Sequence, residues 1–272
     1  MQKSHTHNRN RRSAKFKQLQ HGFTMVELLV AMAIGLFLVG GVFQLFVANK
    51  QSSRIQNNLS HVQENGRFAT SELSRVLRMA GLKSDPTDTA AFATPATAPI
   101  TGSDNASAGA DDVFISFQGV TGLATAGGAV DCLGTRFLPT TPATTITNRF
   151  YLADDTNGVR SLFCSETTAA TPNPQPLVED VSDMQITYGV DTADDGTANY
   201  YVNATTVNTG TAGVPDWSNV VSVRINLLVV SGEDAVTTTA QTYQFDGAAV
   251  TATDNRLYKV FSVTIALRNR LG

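Results

Sequence analysis

Gly22-Phe-Thr-Met-Val-Glu27-Leu-Leu-Val-Ala-Met-Ala-Ile-Gly-Leu-Phe-Leu-Val-Gly-Gly-Val-Phe-Gln-Leu-Phe-Val47 decides the architecture of this chain. From Phe23 to Val47 the only side chains that are not apolar belong to Thr24, Glu27 and Gln44, with Gly35, Gly40 and Gly41 set among them. At about 1.5 Å per residue the run is long enough to cross a hydrocarbon core of roughly 30 Å, so it reads as one membrane helix. Glu27 is the anomaly. A carboxylate inside such a segment costs roughly 2.5–3.5 kcal/mol or more on insertion and is seldom kept without a partner or a route to the interface.

Upstream lie Lys3, Arg9, Arg11, Arg12, Lys15 and Lys17, with no acidic residue before Gly22, which marks residues 1–22 as a cytoplasmic flank and places the chain beyond Val47 on the other side. A secretory signal would have a shorter apolar core, no acid within it and small residues at a cleavage site after it. A plain single-pass anchor, with Glu27 snorkelling to the interface, is the competing reading.

Gly22-Phe23-Thr-Met-Val-Glu27 after a basic leader resembles the processing site of type IV prepilins and type II secretion pseudopilins. The resemblance implies that a prepilin peptidase cuts between Gly22 and Phe23 on the cytoplasmic face and methylates the new amino group of Phe23. It also implies that Glu27 pairs with the mature N-terminus of a neighbouring subunit. Removing the leader's six basic residues from 20 Lys+Arg leaves 14 against 23 Asp+Glu, a net charge near −9. That balance argues against a nucleic-acid partner, which requires clustered cationic charge.

Beyond the apolar run, Ile55, Leu59, Val62, Gly66, Ala69, Leu73, Val76 and Ala80 follow at alternating steps of four and three, the signature of one helical stripe. No proline interrupts Phe23 to Asp85, and Gly81 suits a C-cap, so one helix is expected from Phe23 to Ala80. Residues 23–48 form its transmembrane and polymerisation part and residues 49–82 its amphipathic part, with a short coiled coil as the alternative use of the stripe.

Lys83 to about Asp111, rich in Ala, Thr, Ser, Gly and Pro, reads as a loop. Strands are expected at 113–117, 149–152, 159–163, 183–188, 221–229 and 258–268, the last two on clear alternation of apolar and polar residues. The fold class is α+β, with the amphipathic helix covering one face of an antiparallel sheet and residues 83–272 forming one extracytoplasmic β-rich domain. The stretches Leu177–Asp191, Trp217–Leu228 and Phe261–Arg270 are similar to the PilW family of minor pilins. That similarity implies a type IV pilin-like fold and a role in starting pilus assembly at the tip. The implied partners are other minor pilins, the major pilin, the inner-membrane assembly platform and a tip adhesin. The implied location is the inner membrane and then the pilus surface.

Three constellations bear on chemistry. Cys132 and Cys164 are the only cysteines, and in an oxidising compartment an even pair most simply forms one disulfide. Asp191-Thr-Ala-Asp194-Asp195-Gly196-Thr197 resembles a calcium loop, with Asp191, Asp195 and Thr197 as candidate ligands; yet Ala193 and Val202 stand where ligands are needed, and a solvated acidic turn is the competing reading. No other cofactor is expected. Once a leader is removed, His61 alone remains to serve acid–base chemistry, and no phosphate loop or nucleophile–base pair is found, so the expectation is a protein that is not an enzyme. The alternatives are a type II secretion pseudopilin and, from another class, a membrane-anchored periplasmic binding or enzymatic domain.

Overall fold

The computed structural model describes residues 22–85, 87, 92, 98–107, 109–118, 129–137, 145–167, 173–207 and 216–270. Residues 1–21, the bulk of the expected leader, lie outside that set. Helix α1 runs Met25–Leu77. It starts two residues later than the apolar run because Thr24 stands as its cap: the Thr24 Oγ1 accepts from the Glu27 N–H at 3.3 Å and the Thr24 carbonyl from Leu28. It ends three residues earlier than Ala80 because the last turn tightens, with the N–H groups of Met79 and Ala80 donating to Val76 and Leu77. Gly81 then takes φ +74°, which frees the chain to leave the axis.

The chain divides into two compact units, residues 1–50 and 51–272. In the first, every residue from Phe23 to Val47 is exposed. In the second, the stripe sits as expected: Val62, Gly66, Ala69, Leu73, Val76 and Ala80 are buried, and Ile55 and Leu59 half-buried. Gly66 is small for a reason invisible in the helix itself, since a Cβ there would lie 2.2 Å from the Phe261 ring.

The strands are β1 (Ile100–Ser107), β2 (Ala110–Gln118), β3 (Ala129–Val130), β4 (Arg136–Phe137), β5 (Thr145–Asp154), β6 (Arg160–Glu166), β7 (Gln175–Glu179), β8 (Val181–Val190), β9 (Tyr200–Val202), β10 (Val220–Val230), β11 (Thr242–Phe245), β12 (Ala248–Thr251) and β13 (Tyr258–Ala266), with a short helix α2 at Ala204–Val207. They form two main sheets rather than the single sheet expected, ordered β1-β2-β5-β6-β7 and β13-β10-β8-β9, besides two small hairpins. Every pairing among the described residues is antiparallel. All six expected strands are present.

The expected loop from Lys83 to Asp111 needs correction, because it contains β1 and the start of β2. Ile100 is fully buried, and Gly102 passes so close to Tyr188 that a Cβ would meet its hydroxyl at 1.9 Å. Pairing with β2 holds this strand, not the propensity of its Gly, Ser, Asp and Asn residues. Strand β10 shows the predicted alternation, with Val223, Ile225, Leu227 and Val229 fully buried and Arg224 exposed. Its second face is nonetheless partly covered: the Tyr201 ring lies 4.1 Å from the Arg224 guanidinium and its hydroxyl 3.1 Å from Ser222 Oγ.

Candidate functional site

Gly22, Phe23 and Thr24 precede the helix in non-helical conformation, with Phe23 84% exposed. Among the described residues, nothing lies within 4 Å of the position that a Cβ on Gly22 would take. Glu27 falls in the first helical turn, where the aligned peptide dipoles favour negative charge. Thr24 and Glu27 also have the spacing of a capping box, Thr-x-x-Glu, and the Thr24 half of that box is formed. The Thr24-x-x-Glu27 spacing is a sequence signal for this helix start, independent of the charge that makes Glu27 anomalous in an apolar run.

In the second unit, α1 is tied to the domain by polar contacts at several levels. Arg54 pairs with Glu233 at 3.1 Å, and Asn58 Nδ2 donates to the same carboxylate at 3.3 Å. The Arg54 and Asn58 hydrogen bonds hold the Glu233 carboxyl below its ordinary range. Near the other end, Asn269 Nδ2 donates to the carbonyls of Arg78 at 3.2 Å and Ala80 at 3.1 Å, two acceptors that the helix cannot satisfy itself. The C-terminal Arg-Asn-Arg ending therefore acts as a remote cap on α1.

Cys132 and Cys164 are joined in a disulfide, with Cα atoms 6.2 Å apart across a separation of 32 residues. Cys164 is in β6, and Cys132 lies in the turn between β3 and β4. The Asp131 carboxylate shapes that turn by accepting from the N–H groups of Leu133 at 2.9 Å and Thr135 at 2.7 Å. From α1, Arg75 reaches the same turn, donating to the carbonyls of Val130 at 3.3 Å and Asp131 at 3.0 Å. The disulfide thus fastens to the first sheet a loop that the helix also grips.

Of the calcium-loop candidates, Asp191 is buried and its oxygens face inward. They accept from the N–H groups of Ala193 at 2.9 Å, Asp194 at 2.8 Å and Gly196 at 2.7 Å. Burial pushes its carboxyl up, but these amides outweigh that and hold it below the usual carboxylate range. Asp195 Oδ1 accepts from the N–H of Thr197 itself. The carboxylates are thereby committed to shaping the turn, and among the described residues no group of three or more His, Cys, Asp or Glu is arranged to hold a metal ion.

Residues 149–269 match the family described as Type IV Pilus-assembly protein W, and residues 17–43 match the prokaryotic N-terminal methylation motif. A search of curated proteins returns no match. Among solved structures, a type IV-like pilin from Thermus thermophilus aligns with 80% of this chain and 99% of its own at 16% identity, with a TM-score of 0.38. The first match spans the second main sheet and the C-terminal cap on α1; the second spans the Gly22–Glu27 motif and most of the exposed apolar run. The chain thus joins a prepilin-type methylation motif to a region, residues 149–269, that is similar to the PilW family of pilus-assembly proteins.

Proposed function

We propose that the chain is a minor pilin that takes part in initiating type IV pilus assembly within a tip complex of minor pilins, supporting pilus-dependent adhesion or twitching motility. A prepilin peptidase removes residues 1–22, the mature chain begins at a methylated Phe23, and residues 23–48 anchor it in the inner membrane with residues 83–272 on the periplasmic side. The assembly platform then extracts it into the filament, where it meets the major pilin and a tip adhesin at the cell surface. No catalytic step and no cofactor is needed for this role.

The observation that carries the reading is the run from Phe23 to Val47, exposed along its whole length and opened by a single acid. Such a surface requires lipid or neighbouring apolar helices. An acid at its head has a use if a neighbour's N-terminal ammonium lies beside it, because that attraction is strong in low dielectric. The Thr24 cap sharpens the test. Glu27→Gln keeps the side chain that completes a capping box but removes the charge, whereas Glu27→Ala removes both. Both variants should be cleaved and should anchor, and both should lose recruitment, read as fewer pili and loss of the protein from sheared pilus fractions. Normal pili containing Glu27→Gln would show that helix capping, not pairing, is the role of Glu27. Normal pili containing Glu27→Ala would overturn the filament reading and favour an anchored domain.

A further inference from the structure

The two main sheets have four outer strands, and three of them are blunted against further pairing, as natural sheet edges generally are. Strand β7 is five residues long, contains Pro176, has a register shift, and gives its Glu179 carbonyl to Asn65 at 3.1 Å. Strand β1 has a register shift between Ser103 and Ser107 and stands beside α2, whose Ala204 and Thr205 N–H groups bond to Asp104. Strand β9 has three residues.

Strand β13 is different. It has nine residues, no proline, and an unbroken register with β10 from Tyr258 to Ala266. Leu267 N–H donates to Val221 and Ser231 N–H to Leu257, both at 2.8 Å, which fixes the phase of the ladder. Odd-numbered residues of β13 bond to β10, so the N–H and C=O of Tyr258, Val260, Ser262, Thr264 and Ala266 point away from it. The Gln241 side chain closes the pair on Tyr258, at 2.9 Å and 2.8 Å, as a paired strand would. For the backbone groups of Val260, Ser262, Thr264 and Ala266 there is no partner among the described residues.

Beside this edge runs an open groove whose other wall is α1, with Arg67 and Arg78 at its two ends and Phe261 and Val263 on its floor. Arg75, between them, is engaged by Glu72 and the Cys132 turn. Arg67 and Arg78 form no ion pair among the described residues. Eleven residues along α1 and the turn that closes it separate them by about 16 Å, and residues i and i+4 of an extended strand stand about 13 Å apart, a difference that the long side chains at both ends span.

We propose that the β13 edge and the Arg67–Arg78 groove are a docking site for an extended acidic segment of another protein. That segment adds as a fifth strand, bonding to the outward groups of Val260 to Ala266. It sets two carboxylates four residues apart against Arg67 and Arg78, and an apolar side chain between them on Phe261 and Val263. Residues i, i+2 and i+4 of a strand share one face, so acid, apolar and acid at those places fit the groove. A second copy of this chain fits poorly, because pairing β13 with itself would bring two sets of Arg67, Arg78 and Lys259 together. The inference goes beyond the pilus reading and does not depend on it.

The test uses the mature full-length protein in detergent micelles and a fluorescein-labelled peptide of the pattern Thr-Glu-Thr-Val-Thr-Glu-Thr, followed by anisotropy. Saturable binding is expected, weakened at least tenfold by Thr264→Pro, which removes an outward donor while leaving the β10 ladder intact. The pair Arg67→Glu and Arg78→Glu should lose this peptide and gain one with lysine in place of glutamate. Should Thr264→Pro fail to fold, N-methylation of the peptide at its edge-facing amides gives the same discrimination with unaltered protein. Absence of saturable binding up to millimolar peptide, or equal binding of the N-methylated peptide, would overturn the proposal. So would a dimer in sedimentation that Thr264→Pro dissolves while the peptide stays unbound, which would assign the edge to a second copy.

Discussion

Replacing Gly66 with alanine sets two effects of known size against each other. In a helix interior alanine is favoured over glycine by about 1 kcal/mol, so on an open helix face the change would stabilise. Here the new methyl would sit 2.2 Å, 2.3 Å and 2.4 Å from three atoms of the Phe261 ring, well inside contact distance. Overpacking of this kind costs about 1–3 kcal/mol, so the net effect is a loss of about 1 kcal/mol. For a domain of this size that lowers the thermal midpoint by about 2–4 °C. The assay is thermal unfolding followed by near-UV circular dichroism, in Gly66→Ala, Phe261→Leu and the double variant. With the ring removed, Gly66→Ala should change sign and stabilise by up to about 1 kcal/mol, giving a coupling of at least that size between the two positions. If Gly66→Ala stabilises the unaltered protein, or if its effect is the same in both backgrounds, the close approach of α1 to β13 is not what fixes glycine there.

Three further outcomes are expected. Alkylation of the native protein without reductant should add no label to Cys132 or Cys164, and reduction should lower stability by about 3–4 kcal/mol on the chain-entropy account; two labelled thiols would contradict the bond. Because the Asp191 carboxyl is held below its unfolded value of about 3.9, its contribution is present above that pH and lost as pH falls through the folded value. Unfolding midpoints of Asp191→Asn and wild type should therefore differ at neutral pH and converge in acid, and parallel curves would refute the assignment. Gly22→Val should leave the leader attached, read as the intact mass of the membrane-extracted protein, and a mature chain starting at Phe23 in that variant would refute the processing site.

What could be read in the sequence was what repeats. The stripe from Ile55 to Ala80 and the alternation in β10 and β13 are periodic over many residues, and the structure places Val62, Ala69, Leu73, Val76 and Ala80, the alternating apolar residues of β10 and Ile265 of β13 in the core, with Phe261 and Val263 packed against it. Strand β1 was illegible because its Thr-Gly-Ser-Asp-Asn-Ala-Ser run has loop composition and becomes a strand only by pairing with β2. The division into two sheets was illegible for a related reason, since strand order depends on contacts between distant residues and leaves no local mark. The need for glycine at position 66 was illegible as well, because it is set by the ring of Phe261, almost two hundred residues away, which fills the space beside it. The calcium-loop spacing was legible, but the direction of the Asp191 carboxylate was not; three backbone amides decide it.

The two parts of α1 differ in what they ask of their surroundings, and this bears on what can direct assembly. The stripe from Val62 to Ala80 is already buried within its own chain, so its apolar surface has no further free energy to gain from a partner. The large apolar side chains from Phe23 to Val47 are all at least half exposed. Lipid tails and neighbouring apolar helices solvate such a surface almost equally well, so moving from one to the other yields little hydrophobic driving force. What distinguishes the two environments is close packing and polar pairing. Gly35, Gly40 and Gly41 have open space where a side chain would be, which allows a neighbouring backbone to come near. Glu27 is the single charge whose energy depends strongly on whether an ammonium group stands beside it. Under the pilus reading, the many leucines, valines and phenylalanines make the segment at home in either environment, while one acid and three glycines decide which of them it prefers.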